Sequence, residues 1–382
     1  MKVSYGVHRG LGVEILNNEL ELQYRQQYNS GKLCGKIDLS VLAQHYIDNP
    51  LLYKGYKFDF RIYMMVTSVE PLIVHYHDGF LRNSLIKYDK NSSISGVHIT
   101  NTSKSKKIIK ECKEKGTKHN GMDYKQLRDF QMKTLEDLQE YLLEIGKITD
   151  KNWLDNYLRP EFKRAFMSMA KMSEEHLHDS PDVFELFGVD FVIDDDLKLY
   201  IVEVNASPMI IGTAKRKTQL LTGMMTGLFD IQYAYQYSRT KRALNYLKKN
   251  GKKIKKAKKV GKYIREFEAL YRNYLEPEFA GMIKEDNPWQ LVYDGNLDGR
   301  EKYQNMVDEK CVDIMEEWTL KVKKNEKKKR RIKRKKNKKK GKKGKKGKKR
   351  KRSKKNRKRK AKKSNLSTEP VVENTITKTE TQ

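Results

Sequence analysis

Polar and apolar residues alternate along Lys57–Val66 (KFDFRIYMMV), a pattern that predicts a β-strand with two unlike faces. One face carries Lys57, Asp59, Arg61 and Tyr63. Two cations and one anion together indicate contact with an anionic ligand, because arginine can make bidentate contacts to phosphate or carboxylate. A structural ladder of salt bridges is the alternative interpretation.

A second pattern predicts a hairpin in the stretch FELFGVDFVIDDDLKLYIVEVNASP. Its strands are Gly188–Ile193 and Leu199–Val204, and its turn is Asp194–Asp196. The three acids of the turn are expected to be solvated.

Three polar residues of this hairpin suggest a metal site. Asp190 lies in an otherwise apolar strand, and Glu203 and Asn205 share a face of the next strand. Two carboxylates and an amide on paired strands suit Mg²⁺ that also carries nucleotide phosphates. The alternative, a surface hairpin with solvated acids, fits Asp190 and Glu203 poorly because their neighbours are apolar.

Periodicity and turn residues predict the other elements more coarsely. We expect strands at Val41–Ile47 and Leu72–Tyr76, the latter followed by a turn at Asp78–Gly79. A polar, glycine-containing stretch, Asp89–Gly121, is expected to be a mobile loop, and His98 within it a hydrogen-bonding residue. Helices are predicted at Tyr124–Gly146, Pro160–Leu177 and Lys217–Leu228.

Charge separates the chain into a body and a tail. The 382 residues carry a net charge of +33, and Lys321–Lys363 alone contains 32 Lys/Arg and one Glu. This low-complexity run is too charged to fold alone, so residues 321–382 are predicted to be a disordered tail. Thr240–Glu268 is basic and helical in character, which suits either a solvated surface or a polyanion partner.

Composition also places the protein in a class. Three cysteines have no metal-ligand spacing and form no disulfide framework, and no apolar run is long enough to span a membrane. A soluble protein of a reducing compartment is therefore expected. Near the start, Gly10 and Gly12 precede a short apolar strand and suit either a loop that covers phosphates or an ordinary turn.

Four motifs in register resemble the tubulin–tyrosine ligase-like family. They agree with that family in order and spacing, from about Arg9 to Ser207. The motifs are AQHYIDNPLL at 43–52, KFDFRIY at 57–63, HITN at 98–101 and EVNASP at 203–208. The resemblance implies an ATP-grasp fold and a ligase that joins an amino acid to a carboxylate on tubulin tails, with ATP and Mg²⁺.

The resemblance implies a role for each matching position. Lys57, Arg61 and Arg82 would be catalytic, with the two arginines holding the peptide acceptor or an acyl-phosphate intermediate. Asp190, Glu203 and Asn205 would hold Mg²⁺ and the β- and γ-phosphates. The residues that would contact the nucleotide are Gly10, Gly12, Gln44, Tyr46, Ile47, Lys57, Asp59 and Asn101.

These inferences together predict an α+β chain with a partial ATP-grasp fold, comprising the end of the central lobe and the C-terminal lobe. The expected divisions are a central-lobe remnant at 1–47, the C-terminal lobe at 48–239, a basic helical extension at 240–320 and the tail at 321–382. Family members carry an N-terminal lobe ahead of the glycine loop. We therefore expect either a fragment or a degenerate protein that cannot complete an ATP site.

Three functions remain open at this point. The first is tubulin ligation, with glycine favoured over glutamate because Tyr88–Gly96 resembles the polyglycylase branch. The second is a catalytically degenerate protein that binds microtubules, through their acidic tails, with its basic helix and tail. The third takes the tail as a nucleic-acid or nuclear-import element. The first two functions imply a location in the cytoplasm and on the cytoskeleton, where a cilium or basal body is one expected site.

Overall fold

The computed structural model describes residues 44–298, apart from 101, 174–175, 178–179, 181 and 213–214. It also describes residues 2–3, 13, 15, 26, 41–42, 302 and 305–306. The predicted basic tail lies outside the described residues, and the four domain divisions stay predictions.

An antiparallel sheet organises the described part of the chain. Seven strands form it, in the order β6-β5-β4-β7-β8, with β3 also paired to β4 and β9 to β5. The short strands β1 and β2 pair separately. The strands are β1 Lys2–Val3, β2 Val41–Leu42, β3 Leu52–Tyr53, β4 Tyr56–Ser68, β5 Ile73–Asn83, β6 Met132–Lys133, β7 Glu185–Ile193, β8 Leu199–Asn205 and β9 Gln290–Asp294.

Helices connect these strands and cover the sheet. In the described residues they are α1 Ser95–His98, α2 Thr102–Lys115, α3 Tyr124–Gln131, α4 Leu135–Glu144, a π-helical turn Leu154–Leu158, α5 Arg159–Ser173, α6 Lys215–Lys256, α7 Gly261–Leu270 and α8 Pro277–Ala280. This mixture of helices and antiparallel strands confirms the expected combination of α and β structure. The ATP-grasp assignment stays a prediction.

The apolar face of β4 forms one side of the main core. Phe60 and Phe191 on neighbouring strands pack against Phe162 of α5, with ring centroids 5.3 and 4.8 Å apart. All three side chains are fully buried. Burial of such side chains stabilises the fold by roughly 1.5–3 kcal/mol each. The alternation in the sequence therefore sets which side of β4 faces the core.

Helix α6 covers part of the opposite face of the sheet. Tyr63, Met65 and Phe80 on this face pack against Leu221 and Met224 of α6. The residues that precede Tyr63 on the same face are the charged ones. Helix α6 therefore packs on the apolar half of this face, and its first turn lies beside the polar half.

Strand β5 passes through the predicted turn at Asp78–Gly79. Its register with β4 shifts between the pairs Arg61–Phe80 and Tyr63–His77, so the two residues form a bulge. Gly79 has φ +65° and lies close to the backbone of Arg61. The predicted turn was wrong because a glycine with positive φ can continue a strand through a bulge as well as end it.

Several other predicted elements differ from the observed ones. The predicted helix Tyr124–Gly146 is two helices separated by β6, which pairs with β5. Capping boxes at Asp123 and Thr134 begin the two helices. The predicted strand Val41–Ile47 is a strand only at Val41–Leu42.

The predicted loop Asp89–Gly121 was wrong for a tertiary reason. It contains α1 and α2, and Ile109 and Cys112 of α2 are buried against Leu85 and Leu127. Packing against another helix stabilises a segment whose composition alone suggests a loop.

The hairpin was predicted correctly, but the environment of its turn was not. Strands β7 and β8 pair antiparallel, with Asp190 opposite Glu203. Asp194 is buried, and it accepts hydrogen bonds from the Lys198 amide (2.8 Å) and the Tyr200 hydroxyl (2.9 Å). It therefore shapes the turn as a hydrogen-bond acceptor, whereas Asp195 and Asp196 are exposed as expected.

Gly79→Ala is expected to lower the free energy of unfolding by about 3 kcal/mol or more. A Cβ at this position would lie 1.8 Å from the carbonyl oxygen of Arg61, in addition to the cost of the positive φ. Urea unfolding measures the change.

Gly116→Ala is the matched control. Gly116 has φ +64°, and a Cβ there would meet no atom within 4 Å. It carries the backbone cost alone, about 1–2 kcal/mol. Equal losses in the two variants would contradict the role of the close approach at Gly79.

Candidate active site

The sheet brings most of the predicted site residues to its partly covered face. Register places Asp59 opposite Arg82, Arg61 opposite Asp190, and Asp190 opposite Glu203. Residues directly opposite in antiparallel strands share a face, as do residues two apart along one strand. This polar face comprises Lys57, Asp59, Arg61, Arg82, Asp190, Glu203 and Asn205.

A buried ion network lies at the centre of the polar face. Arg61 makes two hydrogen bonds to Asp190, at 2.5 and 3.0 Å. Arg82 donates to Asp59 from Nε (2.6 Å) and from Nη2 (2.7 Å). The same Nη2 is also 2.7 Å from a carboxylate oxygen of Asp190. Thr100 donates a further hydrogen bond to Asp59. The carboxylates thus hold both guanidinium groups in fixed positions.

The network keeps Asp190 and Arg82 charged in spite of burial. Burial opposes ionisation of Asp190, but the charges of Arg82 and Arg61 outweigh it and hold the pKa of this carboxyl below its usual value. Burial likewise opposes the charge of Arg82, and the two carboxylates raise its pKa above the usual value. Such a network is stable only as a set, because one missing partner leaves a buried charge uncompensated.

Gly188 provides the space for this arrangement. A Cβ on Gly188 would lie 3.1 Å from Cδ of Arg61, 3.2 Å from its Nη1 and 2.8 Å from Cβ of Pro208. A larger residue would therefore crowd the side chains of both Pro208 and Arg61. Sequence reasoning missed this role because a glycine within a strand usually indicates only a bulge or a weak position.

Lys57 begins a chain of hydrogen bonds at one end of the polar face. Its ammonium donates to the Tyr46 hydroxyl (3.0 Å), which lies 2.7 Å from Nδ1 of His98. Nε2 of His98 is 2.7 Å from the Ser92 carbonyl oxygen, which only accepts, so Nε2 donates there. In the neutral ring Nδ1 then accepts from Tyr46. His98 is a hydrogen-bonding residue, as predicted.

The environment of Lys57 changes its acidity. Its ammonium is 4.3 Å from the centroid of the Tyr46 ring, and the residue is only 6% exposed. Burial lowers the pKa of Lys57 to about 8, although the charge of Asp59 acts in the opposite direction. This pKa shift could not be predicted from the sequence, because Tyr46 and Lys57 meet only through the fold.

The three predicted metal ligands lie close together. Asp190 is opposite Glu203, and the Asn205 amide nitrogen is 3.4 Å from a carboxylate oxygen of Glu203. Two carboxylates and an amide fit the ligand preference of Mg²⁺. Glu203 is exposed on β8, so the expectation of apolar surroundings was wrong for it. The described residues contain no group of three or more His, Cys, Asp or Glu side chains suited to a metal.

Other predicted nucleotide contacts lie at the border of the described residues. Gly10, Gly12 and Asn101 fall outside them. Gln44 is exposed and Ile47 is half-buried, beside Tyr46. Their nucleotide roles stay predictions.

Lys217 is a site residue that the sequence analysis did not identify. It lies in the first turn of α6, and its ammonium is 5.0 Å from the centroid of the Phe80 ring. It is one of three consecutive basic residues, Lys215–Lys217. Nothing in the local pattern distinguishes the residue that faces the site from the two that do not.

Comparison with known proteins assigns the chain to a family. Residues 4–242 match the Tubulin-tyrosine ligase family, which is more than half of the chain. The chain belongs to the tubulin-tyrosine ligase family. This confirms the resemblance carried by the four motifs, all of which lie within the matched residues.

Relatives within the tubulin-tyrosine ligase family include glycylases and polyglutamylases. Tubulin glycylase 3A of Drosophila melanogaster is 32% identical over 187 residues, covering 47% of this chain and 18% of the relative. Tubulin polyglutamylase TTLL5 of Mus musculus is 27% identical over 230 residues (58% and 16%). Tubulin glycylase 3C of Tetrahymena thermophila is 27% identical over 267 residues (68% and 22%).

The matches cover only part of each of these family members. The chain spans roughly a fifth of their length. Among the described residues, no helix combines the length and the apolar character needed to cross a membrane.

Lys57 is expected to make stability depend on pH. Its folded-state pKa is about 8, below the usual 10.5, so the unfolded chain binds more protons between these values. Stability contributed through Lys57 therefore rises as pH increases from 8 to 10, by about 2 kcal/mol. Urea unfolding at each pH measures it as the difference between the wild type and Lys57→Met.

The difference between the two proteins is needed because buried tyrosines act in the opposite direction. Burial raises the pKa of Tyr63 to about 12. Ionisation of such tyrosines therefore lowers the stability of the folded protein above pH 10, in the wild type and in Lys57→Met alike. A difference that stays constant from pH 8 to 10 would show that Lys57 titrates normally.

Proposed function

We propose that the chain is an ATP-dependent ligase that joins an amino acid to a carboxylate on tubulin tails, within an ATP-grasp fold. The observation that carries the proposal is the polar face itself. It combines two guanidinium groups in fixed positions, a buried lysine, and two carboxylates with an amide on one side of a sheet. Membership of the tubulin-tyrosine ligase family supports it.

The reaction takes two steps. A carboxylate oxygen of the acceptor attacks the γ-phosphorus of ATP; an O–P bond forms, the bond to the β-phosphate oxygen breaks, and ADP leaves. The amine nitrogen of the incoming amino acid then attacks the acyl carbon. A C–N bond forms, the C–O bond to phosphate breaks, phosphate leaves, and the amine proton passes to water.

The side chains of the polar face would act by position and charge, and no nucleophilic side chain is required. Arg61 and Arg82 would face the oxygens of the acceptor and of the acyl phosphate. Lys57 would face the phosphates of ATP, beside Tyr46 of the adenine-binding segment. Because the guanidinium groups are already held by Asp190 and Asp59, little reorganisation is needed when substrates bind.

Asp190, Glu203 and Asn205 would hold Mg²⁺. When bound, the ion neutralises phosphate charge during transfer. Asp190 would then share its charge between the ion and the two arginines, which links the metal to the acceptor-binding side of the face.

We propose glycine as the favoured amino acid and glutamate as the alternative. The similarity of Tyr88–Gly96 to the polyglycylase branch supports glycine. The relatives named glycylases and polyglutamylases are compatible with both. The partners would be microtubules, through acidic tubulin tails, and the location the cytoskeleton, including cilia.

Incorporation of labelled glycine or glutamate into microtubules, with ATP and Mg²⁺, tests the proposal. The wild-type chain is expected to incorporate one of them, and Glu203→Gln to reduce the rate by about 100-fold or more. The reason is that the amide cannot balance the charge of the ion as the carboxylate does.

Glu185→Gln is the matched control. It makes the same chemical change at an exposed position on β7, five residues from Asp190 and on the other face of the sheet. It should retain the wild-type rate. A wild-type chain that incorporates neither amino acid, or a Glu203→Gln variant with normal activity, would refute the ligase proposal.

The second candidate is a catalytically degenerate microtubule-binding protein. The C-terminal part of α6 favours it, because the lysines at 248, 249, 252, 253, 255 and 256 are exposed. A chain that incorporates no amino acid but pellets with microtubules, more weakly at high salt, would support it. If the isolated tail instead enters the nucleus or binds nucleic acid, the tail has the third function.

A further inference from the structure

Lys217 lies on the polar face although it belongs to a helix. Its ammonium is above the ring of Phe80, and Phe80 is opposite Arg61 in the sheet register. Arg82 is two residues further along the same strand and points to the same side. Three cations from three elements, β4, β5 and α6, therefore converge there.

These cations outnumber the acids that neutralise them. Asp190 and Asp59 are already bonded to Arg61 and Arg82. The charges that act on the pKa of Lys217 are those of Arg82, Arg61 and Lys106, which are all positive. Burial, followed by these charges, lowers the pKa of Lys217 to about 8. The surroundings of Lys217 lack an anion among the described residues.

A buried polar group without a partner lies on the same face of the sheet. The hydroxyl of Tyr63 is completely buried and has no hydrogen-bond partner among the described residues. Tyr63 is two residues from Arg61 on the same face, and the charges of Arg61, Arg82 and Asp190 all act on its hydroxyl. A buried hydroxyl without a partner is costly, so an acceptor is expected nearby.

The position of Lys217 separates this anion from the phosphates near Lys57. Lys217 lies at the level of Arg61, four residues along β4 from Lys57. At about 3.3 Å per residue, that distance is about 13 Å. An anion at Lys217 is therefore on the acceptor side of the arginines, away from Tyr46.

We propose that Lys217 binds the α-carboxylate of the incoming amino acid, an inference that rests on the ligase function above. The acceptor carboxylate loses its own charge when it becomes a mixed anhydride with phosphate and then an amide. The α-carboxylate of the incoming amino acid stays anionic throughout, since only its amine reacts. A lysine without a paired acid suits the group whose charge persists.

Steady-state kinetics of the full chain test the proposal. Lys217→Met is expected to raise the KM for the amino acid by about 10- to 100-fold and to leave the KM for ATP unchanged, because one charge-assisted hydrogen bond is lost. Lys217→Arg should restore most of the affinity. Lys215→Met removes the same charge from the same helical turn at an exposed position and should have no effect.

Glycinamide provides the matched change on the substrate. It keeps the reactive amine but lacks the carboxylate charge. The wild type should prefer glycine to glycinamide by about 10- to 100-fold, the same factor as the expected rise in KM. Lys217→Met should use both substrates equally. If Lys217 had a merely structural role, Lys217→Met would raise the KM for glycine and for glycinamide together and keep the preference for glycine. That result would overturn the proposal. A change confined to the KM for ATP would also overturn it.

Binding without turnover separates this inference from the ligase proposal. Equilibrium dialysis of labelled glycine and glutamate, with Mg²⁺ and a non-hydrolysable ATP analogue, is made with the wild type and both variants. Binding that Lys217→Met weakens and Lys215→Met does not supports the site even if no amino acid is incorporated. Absent binding to the wild type, or equal binding to all three proteins, overturns it even if incorporation occurs.

Discussion

The buried network of Arg61, Asp190, Arg82 and Asp59 is the constraint on which the site depends. Removing these charges from water is costly, and the loss of one partner would cost about 3–5 kcal/mol. The strands must therefore stay in the register that keeps the four side chains together. The space left by Gly188 and the bulge at Gly79 meet this requirement from opposite sides of Arg61.

The network also explains the division of the partly covered sheet face. From Tyr63 onward the face is apolar, and α6 packs on it. Before Tyr63 the face carries the buried carboxylate and guanidinium groups of the network, which are paired with one another. Positive charge remains at both ends of the network, at Lys57 and at Lys217. This arrangement suits a reaction that brings phosphates and carboxylates together.

The fold was predicted well where a pattern depends only on strand geometry. Alternation in β4 and the hairpin of β7 and β8 were correct because side chains of strands alternate regardless of context. Prediction failed where tertiary contacts decide. Asp78–Gly79 resembles a turn, but β4 pairs on both sides of it; α2 resembles a loop, but buried Ile109 and Cys112 hold it. Asp194 resembles a solvated acid until Tyr200 closes over it.

The amino-acid sequence is enough to show which residues carry charge and which of them share a strand face, and its four motifs in register indicate the family. The tertiary structure determines which of those charges form ion pairs with one another and which do not. Only the fold brings Tyr46 to Lys57 and Lys217 to Phe80, since these residues are distant in sequence or lie within a run of similar ones. The physical reason is that burial and neighbouring charge, which govern acidity and ligand preference, depend on contacts between elements.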